Sequence, residues 1–263
     1  MILFEQNTYE RIETNMFNED LKKASDIFMI MSIIPKYSYN FSWFTRPIIQ
    51  YPQDIVAIQE LIWQVRPDLI IETGIAHGGS LIFSASMIAL MDMADAIESG
   101  EKMINPVKSN RKVLGIDIDI RAHNRLAIEN HPMFSRIQLI EGSSIDQEVV
   151  AQVCEIAAAY SRVLVCLDSM HTHDHVLAEL EAYAPLVTPG SYCVVFDTII
   201  EDMPDNVFPD RPWGKGNNPK TAVYEYLKNH SEFIIDKSIE YKLLITVAPD
   251  GYLKRLNEVK KHI

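Results

Sequence analysis

The hydrophobic pattern changes at Pro67, and from there short β-forming runs alternate with helix-like segments. The β-forming runs are apolar on both faces. Strands of this kind, each followed by a helix, are typical of a parallel sheet covered by helices on both sides. The pattern therefore predicts a doubly wound α/β domain. The expected strands are DLIIE (68–72), KVLGID (112–117), RIQLI (136–140), RVLVCLD (162–168) and SYCVVFD (191–197), with helices near 80–93, 121–130, 146–160 and 173–186.

Two further β-forming runs close the pattern, EFIID (232–236) and YKLLITVA (241–248), after a helix expected near 219–229. Only a few residues separate these two runs, and so short a link joins antiparallel strands but not parallel ones. The complete expectation is a mainly parallel, seven-stranded sheet that ends in an antiparallel hairpin.

Residues 1–66 follow a different pattern. A helical pattern near 18–33 precedes an aromatic, proline-containing stretch, YSYNFSWFTRPIIQYP (37–52). A second helix, DIVAIQELIWQV (54–65), follows, capped by Asp54 or the residues before it. We interpret this region as an N-terminal helical extension packed on the α/β domain, acting as a lid or as the contact surface of a homo-oligomer.

These patterns also set the expected boundaries. The α/β domain occupies residues 67–256, and residues 257–263 form a tail. The segment 94–111 is polar and broken by glycine and proline, which predicts a surface insertion between a helix and the second strand of the domain.

Composition narrows the class of protein. With 263 residues, 48% of them hydrophobic, the chain can bury a substantial core. Its formal net charge of -12 repels phosphate backbones, so we expect no nucleic-acid partner. The start MILFEQNTYERIETN carries acids where a secretory signal needs basic residues, and no apolar run reaches transmembrane length. The expectation is a cytoplasmic protein without a membrane span, with its three cysteines reduced.

The turn after the first expected strand, IIETGIAHGGS (70–80), points to a cofactor. Small residues at Gly74, Ala76 and Gly78 let the backbone approach a ligand, and Ser80 begins a helix that offers free N–H groups. Glu72 is unfavourable beside the pyrophosphate of NAD but suits the ammonium group of S-adenosylmethionine. The alternative is a plain glycine turn, with Glu72 capping the helix or paired to a lysine.

Asp117 ends the second expected strand, in the sequence GID. A carboxylate at this strand end accepts hydrogen bonds from ribose hydroxyls. Both NAD and S-adenosylmethionine contain ribose, so Asp117 supports a nucleotide-like cofactor without choosing between them.

Taken together, the acidic glycine turn, the GID strand end, the GSS (142–144) after the third strand and the terminal hairpin resemble the class I S-adenosylmethionine-dependent methyltransferase fold. Five longer stretches are similar to the cephalosporin hydroxylase family, which includes rhamnosyl O-methyltransferase-like proteins, over residues 38–256. The stretches are YNFSWFTRPIIQYPQDI, IIETGIAHGGS, LDSMHTHDHVLAELEAYAPLV, VVFDTIIEDMP and RPWGKGNNPKTAV. The resemblance implies cofactor contacts at Glu72, Gly74, Ala76, Gly78, Ser80, Asp117, Ser143 and Ser144.

Asp168 and Asp197 end the fourth and fifth expected strands, and the carboxyl ends of parallel strands border one crevice. Two such carboxylates favour Mg²⁺ or a similar cation. Metal-dependent O-methyltransferases of this fold usually take a third ligand next to the second acid, where this chain has Phe196 and Thr198. We expect Thr198 as third ligand, with Glu201 or Asp202 as substitutes. Alternatively, both strand-end aspartates only cap a helix or begin a turn.

His171 follows Asp168 by three positions, which resembles the D-x-x-H of metal-dependent sugar methyltransferases, where the histidine is the base. A sugar hydroxyl is a weak nucleophile, and a cation with a neutral imidazole activates it. His173, Asp174 and His175 lie at a helix start with open roles. The HTHDH run also fits a two-histidine iron site of a hydroxylase, but His171 and His173 point to different faces. A non-catalytic cofactor-binding protein is the third alternative.

The segment 201–220, EDMPDNVFPDRPWGKGNNPK, is a long loop of the kind that often covers an active site. Trp213 stacks on a sugar ring or plugs the loop against the domain, and Arg211 and Lys215 flank it, with Glu201 and Asp202 at the loop start. The sequence therefore predicts an S-adenosylmethionine- and metal-dependent O-methyltransferase whose acceptor is a sugar in a small molecule or glycoconjugate.

Overall fold

The computed structural model describes residues 2–257, and the last six residues of the expected tail lie outside that range. A seven-stranded sheet forms its centre, in the order β5-β4-β3-β6-β7-β9-β8. The five strands from β3 to β7 are parallel, and β9 runs antiparallel to both of its neighbours. The strands are β1 (Ser42–Trp43), β2 (Arg46–Pro47), β3 (Leu69–Thr73), β4 (Lys112–Asp117), β5 (Ile137–Glu141), β6 (Val163–Leu167), β7 (Tyr192–Val195), β8 (Phe233–Ile235) and β9 (Tyr252–Arg255).

Helices cover both faces of this sheet, as the two-faced apolar strands predicted. In β3, Ile70 packs into one apolar core, whereas Leu69 and Ile71 pack into the other. This alternation explains why the strand sequence is apolar throughout. The helices are α1 (Ile2–Phe17), α2 (Glu19–Ile33), α3 (Pro52–Val65), α4 (Gly79–Ser99), α5 (Ala122–Glu129), α6 (Gln147–Ala157), α7 (His173–Tyr183), α8 (Pro219–Tyr226) and α9 (Lys237–Leu243).

The order of the strands fixes where a ligand can bind. From β3 the chain passes to β4 on one side of the sheet, and later to β6 on the other side. A crevice forms at such a reversal, outside the carboxyl ends of the strands. The ends of β3 and β6 are in register there, with Thr73 opposite Leu167. The residues that follow these strands therefore face the same space.

No apolar run of transmembrane length was expected, yet helix α4 is long and apolar enough to cross a membrane by length and composition. Half of its most apolar window is buried inside the protein, and residues such as Leu81, Ile82 and Ile88 belong to the core. These contacts are those of a core helix packed on the sheet.

The terminal antiparallel pair is confirmed, but its second strand is not the expected one. Residues 241–248 were expected as a strand, whereas helix α9 begins at Lys237, after a cap in which Asp236 accepts a hydrogen bond from the Ser238 N–H. The antiparallel partner of β8 is β9, which begins at Tyr252. The apolar residues of this segment predicted a strand, but the local cap at Asp236 stabilises a helix over its first residues instead.

Asp54 explains why residues 244–248 stay out of the sheet. Its carboxylate is fully buried and accepts hydrogen bonds from the Thr246 hydroxyl, the Val247 N–H and the Tyr252 hydroxyl. Asp54 or the residues before it were expected to cap the second helix of the N-terminal region. The N-cap is the earlier residue Tyr51, without a side-chain hydrogen bond, and Asp54 instead ties α3 to residues 246–252.

The N-terminal region consists of α1, α2, a short β1-β2 hairpin and α3. Helix α1 has no counterpart among the predicted elements. The surface insertion begins later than expected, because α4 continues to Ser99. The lid role and association into a homo-oligomer stay predictions.

Candidate active site

A cavity of about 540 Å³ opens at the carboxyl edge of the sheet. Its walls come from the turn after β3, the last residue of β4, the residues that follow β6 and β7, the N-terminal region, and the loop 201–220. A cavity of this volume holds a small-molecule ligand. The lining residues that carry polar or aromatic groups include Lys36, Tyr39, Gln50, Asp117, Asp168, His171, Asp197, Arg211 and Trp213.

The turn after β3 is shaped by two close backbone contacts. Gly74 has φ +79°, and a Cβ there would lie 2.0 Å from the main-chain oxygen of Asp168. At Gly79 a Cβ would lie 2.2 Å from the main-chain oxygen of Pro47. Only glycine fits these approaches, which press the turn against the loop after β6 and against the N-terminal region. Gly74 and Ala76 line the cavity, as expected for a cofactor turn.

Asp117 holds the same turn from the end of β4. Its Oδ2 accepts hydrogen bonds from the backbone N–H groups of Ile75, at 2.9 Å, and Ala76, at 3.4 Å. The carboxylate also lines the cavity. Asp117 therefore fixes the turn and faces the space where a ribose is expected.

Glu72 is a buried carboxyl group without a cationic partner. Burial raises its pKa to about 7, against the lowering effect of a hydrogen bond from the Ser80 hydroxyl. Within residues 2–257, no lysine, arginine or histidine pairs with it. Glu72 and Ser80 line a smaller cavity, of about 30 Å³, which Asp168 also lines. A ligand with a positive charge could therefore pair with the Glu72 carboxylate.

Asp168, His171 and Asp197 come together at the ends of β6 and β7. One ligand atom from each lies within 4.8 Å of the other two, and His171 Nε2 is 3.1 Å from Asp197 Oδ2. Burial, and next the charge of Asp197, raise the pKa of Asp168 well above its usual value. Asp197 adopts a left-handed backbone conformation, φ +56°, which is uncommon outside glycine and is often found at functional sites.

This cluster fits a divalent cation. Two carboxylates that repel each other, together with an imidazole, converge on one point with no lysine or arginine pairing Asp168 or Asp197 in the described part of the chain. A bound cation would relieve the repulsion between the carboxylates.

The structure gives no support to Thr198 as the third ligand. Its hydroxyl donates to the carbonyl of Pro249 at 2.6 Å, and the residue is fully buried. The two substitutes are also engaged elsewhere. Glu201 accepts hydrogen bonds from the Gly216 N–H and the Asn218 amide, and Asp202 pairs with Lys220. Both acids anchor the loop 201–220 to its own far end, where the capping sequence NNPK begins α8.

Gln50 is a residue of this site that the sequence patterns did not single out. Its Nε2 donates to Asp168 Oδ2 at 3.0 Å. Its Oε1 is buried and has no hydrogen-bond partner. Gln50 lines both the main and the smaller cavity. In the sequence, only its position in the stretch RPIIQYP could have pointed to Gln50. Neither its spacing from other polar residues nor its local chemistry set it apart as a site residue.

The three histidines of the HTHDH run separate, as predicted. Only His171 joins the acids. The His173 Nδ1 lies 2.9 Å from the Thr221 hydroxyl of α8, and the His175 Nε2 lies 3.1 Å from the hydroxyls of Ser144 and Ser169. No second imidazole among residues 2–257 reaches the cluster, so the two-histidine iron site has no structural basis.

Two expected cofactor residues, Ser143 and Ser144, are not among the residues that line the main cavity. Ser144 is buried, and its carbonyl accepts a hydrogen bond from the Tyr183 hydroxyl. Neither Ser143 nor Ser144 lines the main cavity, and Gly78 and Lys215 do not line it either. In the structure, Ser144 joins the loop after β5 to the loop after β6 through His175.

Trp213 brings the long loop onto the site. Its ring meets the His171 ring edge-on, with centroids 4.8 Å apart and planes at 89°. The Arg211 guanidinium lies 5.1 Å from the Trp213 ring centre. Both residues line the cavity, as do Lys36 and Tyr39 of the N-terminal region. An aromatic surface therefore lies directly beside the imidazole.

Known proteins resemble this chain over most of its length. The sequence model of the family described as "Rhamnosyl O-methyltransferase/CmcI" matches residues 35–256. The rhamnosyl O-methyltransferase of Mycobacterium tuberculosis (strain H37Rv) is 30% identical over 205 residues, which are 77% of this chain and 73% of that protein. The one from Mycobacterium leprae is 28% identical over 226 residues, which are 83% and 87% of the two chains.

A solved structure of CmcI, named for magnesium and S-adenosylmethionine, shares the fold. It superposes with a TM-score of 0.51 at 18% sequence identity and covers 83% of this chain and 78% of its own. The sheet order and flanking helices are those of class I S-adenosylmethionine-dependent methyltransferases. With the match of the family's sequence model, these findings show that the chain belongs to the rhamnosyl O-methyltransferase/CmcI family.

Proposed function

We propose that this chain is an S-adenosylmethionine-dependent O-methyltransferase that requires a divalent cation such as Mg²⁺ and methylates a hydroxyl of a sugar or a sugar-containing natural product. One observation carries the proposal: the glycine turn after β3 and the Asp168–His171–Asp197 cluster open into one cavity. The names of the relatives support a sugar acceptor, and the CmcI structure supports both the cofactor and the ion.

The charge of the site matches the proposed cofactor. S-adenosylmethionine carries an ammonium group and a sulfonium. Asp117 and Asp168 line the main cavity close to the glycine turn, and Glu72 lines the smaller cavity, which Asp168 also lines. Glu72 pairs with the ammonium, and Asp117 accepts from the ribose hydroxyls. NAD would bring a pyrophosphate against the same acids, which is electrostatically unfavourable.

Asp168 and Asp197 are the proposed carboxylate ligands of the cation, which supplies Lewis acidity to the acceptor hydroxyl when bound. His171 lies beside both carboxylates and takes the proton of the hydroxyl as general base. The walls of the cavity hold the hydroxyl oxygen and the methyl group in line. Such alignment supplies a large part of the rate enhancement in a bimolecular transfer.

Trp213 gives the acceptor site its proposed preference for sugars. Its indole extends the wall next to His171, so a sugar that packs its C–H face on the ring brings a hydroxyl to the base. Tyr39 also lines the cavity, with the Lys36 ammonium 5.5 Å from its ring centre.

Calorimetric titration tests the cofactor and the cation together. S-adenosylmethionine, S-adenosylhomocysteine and NAD are each titrated with and without Mg²⁺. We expect the first two to bind and NAD not to bind. Release of S-adenosylhomocysteine is then followed with a panel of sugar acceptors. It should depend on the acceptor and stop in excess chelator, and full turnover in chelator would contradict the metal requirement.

Variants of the two acids complete the test. Asp168→Asn and Asp197→Asn should remove the response of turnover to added Mg²⁺. Cofactor binding with no acceptor-dependent turnover across the panel would favour the non-catalytic alternative.

A further inference from the structure

The side-chain amide of Gln50 is buried, and its nitrogen has a hydrogen-bond partner whereas its oxygen has none. Its side chain donates from Nε2 to Asp168 Oδ2 at 3.0 Å, while Oε1 is enclosed without a partner. The residue is 8% exposed. An unpaired buried carbonyl costs about 1–3 kcal/mol. Gln50 shares the smaller cavity with the carboxyl groups of Glu72 and Asp54, and neither of them donates to Oε1.

The backbone at Gln50 is held firmly by its neighbours. Ile48 and Tyr51 are almost fully buried, and the Tyr51 hydroxyl lies 2.7 Å from the Ser32 hydroxyl of α2. Asp54, on the first turn of α3, accepts a hydrogen bond from the Val247 N–H. The backbone that carries the unpaired oxygen is therefore held in place. A bound partner that is absent from the protein chain would explain why the oxygen stays unpaired.

The distance to Asp168 matches a pair of ligands on one cation. Oxygen ligands bind Mg²⁺ at about 2.0–2.1 Å in octahedral geometry, so adjacent ligand oxygens lie roughly 2.9–3.0 Å apart. The Gln50 Nε2 lies 3.0 Å from Asp168 Oδ2. A half-turn of the amide exchanges its nitrogen and oxygen, and which of the two faces a carboxylate depends on the groups present. After the amide has rotated, Oε1 lies about as far from Asp168 Oδ2 as two adjacent ligand oxygens of one cation lie from each other.

We propose that Gln50 supplies, through Oε1, the third protein oxygen ligand of the cation that Asp168 and Asp197 hold. This inference rests on the proposed function, because it requires a cation at this cluster. A ligand from Gln50 would make up for the neighbours of Asp197, neither of which offers a free side-chain oxygen. The Thr198 hydroxyl is bonded to Pro249, and Phe196, which lines the smaller cavity as Gln50 does, has no side-chain oxygen.

Two consequences follow from a neutral third ligand. Two carboxylates balance the charge of a divalent cation, so the amide completes the site without adding negative charge. His171 is left free to act as base. The N-terminal region then contributes an atom to the reaction site and is more than a cover over it.

Binding of Mn²⁺ to the protein saturated with S-adenosylhomocysteine tests this ligand without using turnover. Gln50→Leu should weaken Mn²⁺ binding by about 10- to 100-fold. Gln50→Glu keeps an oxygen at the same reach and should bind Mn²⁺ at least as tightly as the natural chain. Gln53→Leu is the matched control: Gln53 also has a buried, unpaired Oε1 but lines neither cavity, so its loss should leave Mn²⁺ affinity unchanged.

The outcomes separate this inference from the proposed function. If the natural chain binds no divalent cation, the metal requirement itself fails. If the natural chain binds Mn²⁺ and Gln50→Leu binds it equally well, only the inference fails. Equal weakening by Gln50→Leu and Gln50→Glu would show that the amide acts only as a donor to Asp168, which also overturns it. A crystal structure with Mg²⁺ decides independently of folding in the variants. We expect Oε1 at about 2.0–2.1 Å from the ion, and the N–H group facing Asp168 would contradict the proposal.

Discussion

Replacing Glu72 by glutamine should remove the pH dependence that this residue gives to cofactor binding. Burial raises the pKa of Glu72 to about 7. An ammonium group binds the ionised form, so binding below that pH requires the loss of a proton and becomes weaker. With a pKa of about 7, the ionised share falls from about 0.9 at pH 8 to about 0.1 at pH 6, so the contribution of Glu72 to the dissociation constant is about tenfold over this range.

The same replacement should weaken binding at high pH. A hydrogen bond to a charged group contributes about 1.5–3 kcal/mol, which corresponds to a loss of roughly 10- to 150-fold for Glu72→Gln at pH 8. Glutamine keeps the shape of the side chain and an acceptor for the Ser80 hydroxyl, so the change isolates the charge.

Calorimetric titration of S-adenosylmethionine in excess chelator, at several pH values between 6 and 8, measures both effects. Burial, and next the charge of Asp197, also raise the pKa of Asp168, so the informative quantity is the difference between the natural chain and Glu72→Gln. Glu155→Gln, on the exposed face of α6, is the control and should behave as the natural chain does. If Glu72→Gln keeps the natural pH dependence, the pairing of Glu72 with the ammonium is wrong.

Three further predictions follow from the geometry. Gly74→Ala should abolish cofactor binding in the same titration, because its Cβ would meet main-chain atoms at 2.0 Å; Gly100→Ala has a similar φ of +75° but open space, so it should lose only about 1–2 kcal/mol of stability and bind normally. His171→Ala should lower turnover by about 10²- to 10⁴-fold with unchanged cofactor affinity, whereas His173→Ala, whose ring contacts α8, should stay within a few-fold; equal loss in both variants would argue against His171 as base. Asp54→Ala leaves three donors without their acceptor and should lower the free energy of unfolding by about 2–4 kcal/mol in a denaturant titration, and an unchanged midpoint would contradict its anchoring role.

The sequence indicated the main part of the site because strand ends are readable. Asp117, Asp168 and Asp197 each follow an apolar run, and parallel strands bring their carboxyl ends to one edge. The fold class was predicted for the same reason, and the structure and comparisons confirm it.

The remaining features depend on contacts between distant segments. Gln50 meets Asp168 across the sheet edge, and no local pattern records that contact. Thr198 follows Asp197 directly, yet its side chain turns toward Pro249, because consecutive residues point in different directions. The displacement of residues 244–248 from the expected strand has a similar origin, since the hydrogen bonds from Thr246 and Val247 to Asp54 hold those residues away from the sheet.

The proposed acceptor preference rests on aromatic and basic side chains from two regions. Trp213 and Arg211 come from the loop after β7, and Tyr39 and Lys36 come from the N-terminal region. Because these groups meet only in the folded chain, the sequence identified the first pair as part of a covering loop but did not indicate the second.

The central claim is that the chain transfers a methyl group from S-adenosylmethionine to a sugar hydroxyl with the help of a divalent cation. Mass spectrometry of a sugar acceptor panel, incubated with S-adenosylmethionine that carries an isotopically labelled methyl group, tests it most directly. We predict that an acceptor gains one labelled methyl group on oxygen in Mg²⁺, with one S-adenosylhomocysteine formed for each, and gains none in chelator. Gain of an oxygen atom without label, or label transfer undiminished in chelator, would contradict the account.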